Sequence, residues 1–237
     1  MRPSVRDYAR EFLTMFEGYV RQMYLDDRGL VSTGVGYLID SVDDAARLQW
    51  VRIAADGRSD GPSASRKEVE EEWKRVKTQQ QWKGIGGGNF IAKARATQPP
   101  IITLQMAATE VDRTFMAMLN GLERTMKETP GGFFQDYENF PADAQLGILS
   151  HLWANGANNL HKRWPNFCRL CKERKWREII ETKHYRWKNI RKDRDQAMIR
   201  VFTNAANLED ANAKGFSFDA ALVYYPQLIL PLQEIEV

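Results

Sequence analysis

Residues 16–38 read Phe16-Glu17-Gly18-Tyr19-Val20-Arg21-Gln22-Met23-Tyr24-Leu25-Asp26-Asp27-Arg28-Gly29-Leu30-Val31-Ser32-Thr33-Gly34-Val35-Gly36-Tyr37-Leu38. The Val-, Tyr- and Leu-rich run Val20 to Ile39, interrupted by Asp26-Asp27-Arg28-Gly29, predicts a small antiparallel sheet with a turn at the acidic pair. Gly34 and Gly36 allow backbones to approach closely. One carboxylate, Glu17, closes a helix; a second, Asp26, sits in the turn; hydroxyls follow on the next strand. Cleavage of a glycosidic bond needs such a pair. One carboxyl is protonated and donates to the leaving oxygen, and the other is ionised and orients water or stabilises an oxocarbenium-like transition state. Side chains alternate across a strand, so only one of Ser32 and Thr33 faces the same way as the site.

On the N-terminal side, Val5, Tyr8, Ala9, Phe12, Leu13 and Phe16 recur at helical steps, predicting a helix over Ser4–Phe16 with Ser4 and Asp7 as a capping-box-like start. On the C-terminal side, Val42–Ala55 is expected to be helical and Asp56–Ala64 a loop. Ser65–Lys77 returns to helix with Val69, Trp73 and Val76 on one face. The run Gly84-Ile85-Gly86-Gly87-Gly88 has no Gly-Lys-Ser/Thr after it and no βαβ frame around it. It is therefore expected to be a flexible loop rather than a phosphate cradle. Thr109–Met126 is a helix with Val111, Phe115, Met118, Leu119 and Leu122 inward. Pro141 is placed in the first turn of the next helix, and Gly156 at its C-cap. Leu146–Trp153 is apolar on most sides, which marks a buried central helix. Helices are also expected over Trp164–Ile180 and Asp193–Asn204. The apolar, Pro-broken tail Phe216–Leu232 must dock on something.

With 237 residues, 43% hydrophobic and 11% aromatic, the chain is globular and long enough for one large domain or two lobes. No apolar run is long enough to span a membrane, and Met1–Arg10 has no signal-peptide core. The net charge of +3 conceals a strongly basic segment, His161–Arg194, in an otherwise acidic chain. That segment favours anionic partners. Cys168 and Cys171, three apart on a helix, are expected to be small core residues. With His161 and His184 they match no standard zinc spacing.

Glu17, eight residues, Asp26, five residues, a hydroxyl and a Gly-x-Gly strand together resemble the T-even phage lysozymes, the endolysin muramidases of glycoside hydrolase family 24. The usual hydroxyl there is Thr followed by Ile-Gly; here Ser32 takes its place and Thr33 the place of Ile. Glu110–Leu119 resembles the family's linking helix, and Phe140–Gly156 its buried central helix, with Trp153 where an aromatic lines the cleft. Phe167–Ile180 and Arg186-Trp187-Lys188-Asn189 with Arg194 and Phe202 resemble its later blocks. The resemblance covers residues 5–205, with an insertion at about 78–106, and leaves 206–237 as a C-terminal extension.

The resemblance implies an α+β, mostly helical, lysozyme-like fold: a small N-terminal lobe with a short antiparallel sheet, a larger helical C-terminal lobe, and the sugar chain between them. It implies a muramidase acting on the β-1,4 bond between N-acetylmuramic acid and N-acetylglucosamine. Glu17 is then the acid, Asp26 with Ser32 or Thr33 holds the water, and Leu38, Trp153, Arg186 and Arg194 contact substrate. Arg194 is expected to pair with Glu17. Neither metal nor cofactor is implied. Peptidoglycan is the expected partner, the extension is a surface for a delivery or inhibitor protein, and no nucleic acid is expected. A chain made in the cytoplasm without a signal peptide would reach the wall as a phage lysozyme or a secreted antibacterial effector. Two rival readings remain: a lysozyme-like wall-binding module without catalysis, and a basic helical nucleic-acid-binding protein presenting Trp164, Trp176 and Trp187 among Lys and Arg.

Overall fold

The computed structural model describes residues 1–229. The chain is α+β and mostly helical. Its elements run α1 (Pro3–Glu17), β1 (Val20–Leu25), β2 (Val31–Gly34), β3 (Tyr37–Leu38), α2 (Val42–Ala46), β4 (Trp50–Ile53), β5 (Asp60–Ser63) and α3 (Arg66–Lys77). They continue with α4 (Gly87–Ala96), β6 (Leu104–Met106), α5 (Ala108–Glu128), α6 (Ala142–Asn155), α7 (Leu160–Arg163), α8 (Pro165–Lys172), α9 (Trp176–Thr182) and α10 (Lys192–Ala213). Two compact units form: one from Glu17–Met118, the other from Met1–Phe16 and the chain from Leu119 onward.

The helical unit is organised around α6. From Ala142 to Trp153 every residue of this helix is buried, because its sequence is apolar on nearly all sides. Gly147 lets α10 come close: a Cβ there would sit 2.8 Å from the Phe202 ring. Phe202 in turn stacks on Trp176, with centroids 6.0 Å apart. Cys168 and Cys171 of α8 are fully buried in this unit, and burial pushes the Cys168 thiol up to about 12. Several boundaries differ from the sequence reading. Ser4 lies inside α1 rather than capping it, and its hydroxyl donates to the Ala221 carbonyl. Pro141 is the N-cap of α6, one position before the first turn. The helix expected over Trp164–Ile180 is broken into α8 and α9, because Arg174 adopts a left-handed φ of 54°. α10 continues past Asn204 to Ala213, so residues 206–213 belong to a helix.

Beyond α10 the tail lies on this unit along an anchored path. The buried Asp143 carboxylate accepts from the backbone N–H groups of Tyr224 (2.8 Å) and Tyr225 (3.0 Å) and from Asn204 Nδ2 (3.0 Å). The Tyr225 ring meets Phe12 edge-on at 5.0 Å. Of the expected apolar run to Leu232, the part after Ile229 lies outside the described residues.

The second unit contains two small sheets. In the first, β1 pairs antiparallel with β2 and β2 with β3, as residues 20–38 predict. Three expectations fail in this unit, two of them at the other sheet, ordered β5-β4-β6. Only Val42–Ala46 of the expected helix forms. Trp50-Val51-Arg52-Ile53 is a strand instead, because these bulky and β-branched residues pair with Leu104–Met106. Asp56–Ala64 is a hairpin whose turn is closed by the Asp56 carboxylate, which accepts from the Arg58 and Ser59 N–H groups at 2.8 Å each. The segment expected to be a flexible glycine loop instead leads into α4, whose Phe90, Ile91 and Ala94 are buried.

Glu72 on α3 ties this unit together. Its fully buried carboxylate accepts from Thr103 N (2.7 Å), Thr103 Oγ1 (2.8 Å) and Leu104 N (3.1 Å), and so joins α3 to β6. Burial pushes its pKa up to about 7, against the pull of these donors and of Arg75. In an unfolded chain the value is about 4.3. Between these values the native state holds the proton more tightly, so stability is lost as pH rises from about 4 to about 7, by about 4 kcal/mol. Glu72→Gln removes this slope. Denaturant unfolding of both proteins across that window checks it; a wild-type-minus-variant difference that stays flat with pH contradicts the assignment.

Candidate functional site

The candidate acid ends a helix. Glu17 is the last residue of α1, and Gly18 follows at φ +75°, a left-handed conformation that stops the helix and turns the chain into β1. Asp26 follows β1, in the turn that joins it to β2. That turn is closed by Asp26 N donating to Leu30 O (2.9 Å) and Gly29 N donating to Asp26 O (3.0 Å). The two oxygens of the Asp26 carboxylate are unequal. Oδ1 accepts from Arg28 N (2.9 Å) and Leu30 N (2.8 Å), an Asx-turn arrangement that fixes the side chain. Oδ2 makes no hydrogen bond among the described residues, and the Arg28 guanidinium is 3.8 Å away. One oxygen therefore shapes the turn and the other remains available.

Register separates the two hydroxyls. Ser32 lies directly opposite Tyr24 of β1 and Leu38 of β3, and directly opposed residues share a face. Thr33 points to the other face. It is fully buried, with Oγ1 3.2 Å from the Arg21 carbonyl and 3.4 Å from that of Val20, to which it donates. Ser32 is also buried, yet its hydroxyl has no hydrogen-bond partner among the described residues. Leu38, 48% exposed, is the open end of the Tyr24–Ser32–Leu38 row.

Tyr24 is not among the site residues that the sequence singles out, yet it lies opposite Ser32 in the sheet. Its phenol is pushed above its ordinary value first by burial and then by the nearby negative charges of Glu17, Asp26 and Asp27. Ser32 occupies the same sheet face as this buried phenol. The available signal was period-two alternation: Tyr24 must share a face with whichever hydroxyl lies opposite it.

The remaining candidates lie in the helical unit. Trp153 is buried on α6. Arg186 pairs with Asp195 at 2.9 Å, and Asp195 also accepts from the Tyr185 hydroxyl at 2.7 Å. Arg194 is buried in the first turn of α10. Its Nε donates to Ser150 Oγ (3.1 Å) and its Nη2 to Ser150 O (3.2 Å), and its guanidinium lies 5.0 Å from the Phe16 ring and 5.5 Å from that of Trp187. Among the described residues, no three His, Cys, Asp or Glu side chains are grouped to hold a metal, and no helix is long and apolar enough to cross a membrane.

No protein-family model matches this chain, and no curated protein matches it.

The two hydroxyls differ in what their removal costs. Thr33→Val keeps the shape but removes a buried donor, and is expected to lower stability by about 1 kcal/mol. Ser32→Ala removes no hydrogen bond among the described residues and should change stability by less than about 0.5 kcal/mol. Urea midpoints measure both. Equal losses would mean that Ser32 carries a structural bond.

Proposed function

We propose that this protein is a peptidoglycan hydrolase, a muramidase that cleaves the β-1,4 bond between N-acetylmuramic acid and N-acetylglucosamine. One observation carries the reading: the Asp26 turn holds Oδ1 and leaves Oδ2 without a hydrogen bond among the described residues, and the Ser32 hydroxyl, likewise without a partner among them, stands on the sheet face of Tyr24, the residue opposite it on the strand that leads into that turn. The resemblance of residues 5–205 to the T-even phage lysozymes supplies the reaction class.

In this reading Glu17 donates its proton to the bridging oxygen as the bond from that oxygen to the anomeric carbon breaks. A water held by Asp26 Oδ2 and Ser32 Oγ attacks the anomeric carbon from the opposite face and passes a proton to Asp26. The product is a free sugar with inverted configuration. Asp26 suits this role because Oδ1 is already held by the turn, which leaves Oδ2 in a defined direction. Ser32 suits it better than Thr33, whose hydroxyl is committed to the backbone of β1. The chemistry requires no metal or cofactor. Leu38 lies at the exposed end of the same row and would contact the sugar. Trp153, Arg186 and Arg194 remain proposed substrate contacts by resemblance.

The nucleic-acid reading has weaker support. Trp176 is buried, so it offers no stacking face. Many cations of the basic segment are ion-paired, among them Arg169 with Glu173, Arg174 with Glu209 and Arg177 with Asp210. The wall-binding module without catalysis is the alternative that an activity assay distinguishes. Carriage to the wall as a phage lysozyme or a secreted effector, with the C-terminal extension contacting a delivery or inhibitor protein, belongs to the same proposal.

Mass spectrometry of digested peptidoglycan tests the reaction: reducing muramic acid ends are expected, and intact wall overturns the proposal. Glu17→Gln keeps the shape of the side chain but has no acidic proton. It is expected to lower turnover by about three orders of magnitude with the fold retained. Asp26→Asn should have a comparable effect. Near-native lysis by the Glu17 variant would falsify the assignment of the acid.

A further inference from the structure

We propose that Lys77 and Gln80, at the end of α3 and in the turn after it, are positioning residues that clamp the Asp26 turn and thereby aim Oδ2 of its carboxylate. The proposal rests on the reading of Asp26 as the group that holds the water.

A short turn between two strands of a small sheet has few contacts of its own. The bonds that close this one leave the Gly29 carbonyl without a backbone donor within the turn. Residues far along the chain supply the donors. Lys77 Nζ donates to Gly29 O at 3.0 Å, and Gln80 Nε2 donates to the same oxygen at 3.2 Å. Gly84 N donates to the Asp26 carbonyl at 3.3 Å, so both ends of the turn are held from one segment.

The donors are themselves fixed. Gln80 Nε2 also donates to Lys77 O at 2.9 Å, which sets the direction of its amide. Lys77 Nζ also donates to Asp40 Oδ1 at 2.6 Å, and that oxygen accepts from Val31 N at 2.9 Å. The ammonium thus bridges the turn at Gly29 to the strand that leaves it at Val31. Contact is close enough to constrain the sequence. Gly29 has φ +77°, and a side chain there would run into the Gln80 amide. A Cβ on Gly87, at the start of α4, would sit 2.9 Å from Val20 and 3.4 Å from the Tyr24 ring, so bare backbone lets α4 lie on the strand that leads into Asp26.

The link from clamp to carboxylate is short. Asp26 Oδ1 is held by the amides of Arg28 and Leu30, which flank Gly29. Movement of Gly29 moves both amides, and the carboxylate turns with them. A misplacement of about 1 Å in a reacting group costs on the order of a hundredfold in rate. The clamp therefore acts on the chemical step and leaves sugar binding to other residues.

The test is the double variant Lys77→Met, Gln80→Met, which keeps both side chains' bulk and removes both donors. Three measurements are made on the full chain. Turnover and KM are measured on soluble uncrosslinked glycan strands, amide hydrogen exchange at Arg28 and Leu30 by NMR, and the thermal midpoint in parallel. The expected result is a fall in kcat of about tenfold with KM within about twofold, faster exchange at both amides, and Glu17→Gln unaffected in its exchange there. Lys77→Arg, which keeps a donor, should recover part of the kcat lost in Lys77→Met at equal thermal midpoint. Unchanged exchange, or wild-type kcat in the double variant, overturns the clamp. A wild-type protein that cleaves no glycan overturns the muramidase reading and with it the catalytic part of the clamp. The exchange data then judge the structural part alone.

Discussion

Register between β1 and β2 is the constraint on which the candidate site depends. With Tyr24 opposite Ser32 and Leu25 opposite Val31, Ser32 shares a face with Tyr24 and Leu38, while Val31 and Thr33 turn to the other face. A slip of one residue would exchange them, because side chains alternate with a period of two. Thr33 resists that slip. Its hydroxyl donates to the carbonyls of β1, and moving it to the other face would leave those bonds unmade. Turn chemistry resists it as well, since Asp26 Oδ1 fits the N–H groups of Arg28 and Leu30 at only one loop length.

Three acidic side chains show how environment divides labour among like groups. Glu72 and Asp143 are buried, and burial raises the pKa of both. Each is bonded to backbone N–H groups of a segment distant in sequence, Glu72 to β6 and Asp143 to the tail. Among the donors they hold, Leu104 N is buried, and leaving it without an acceptor would cost about 1–3 kcal/mol. Asp26 differs in that only one of its oxygens serves the backbone. The same residue type is a structural tie where both oxygens are engaged and a candidate reactive group where one is left over.

The segment 78–106 links the two themes. Its glycines read as a flexible loop in the sequence. In the fold those glycines serve approach: Gly84 closes on Asp27, and Gly87 on Val20 and Tyr24. Phe90 enters the core of the unit, and Leu104–Met106 completes a sheet with β4.

Much of this was legible in the sequence because it depends on local periodicity. The amphipathic pattern of α1, the alternation and turn residues of 20–38, the mostly apolar run of α6 and the spacing of Glu17, Asp26 and Ser32 are properties of neighbouring residues. Three things were not legible. Val42–Ala55 carries an ambiguous pattern, and the pairing of Trp50–Ile53 with Leu104–Met106, about fifty residues away, decided that it became a strand. The choice between Ser32 and Thr33 needed the cross-strand register. The role of Lys77 and Gln80 has no local signature, because a charged or amide side chain at a helix end is usually solvated. The sequence by itself determined which segments are amphipathic and which residues are candidates for the chemistry, since these follow from each residue and its near neighbours. Only the tertiary structure decided which carbonyl each distant donor reaches and which carboxylate oxygen is left unbonded, because those depend on distances between segments far apart along the chain.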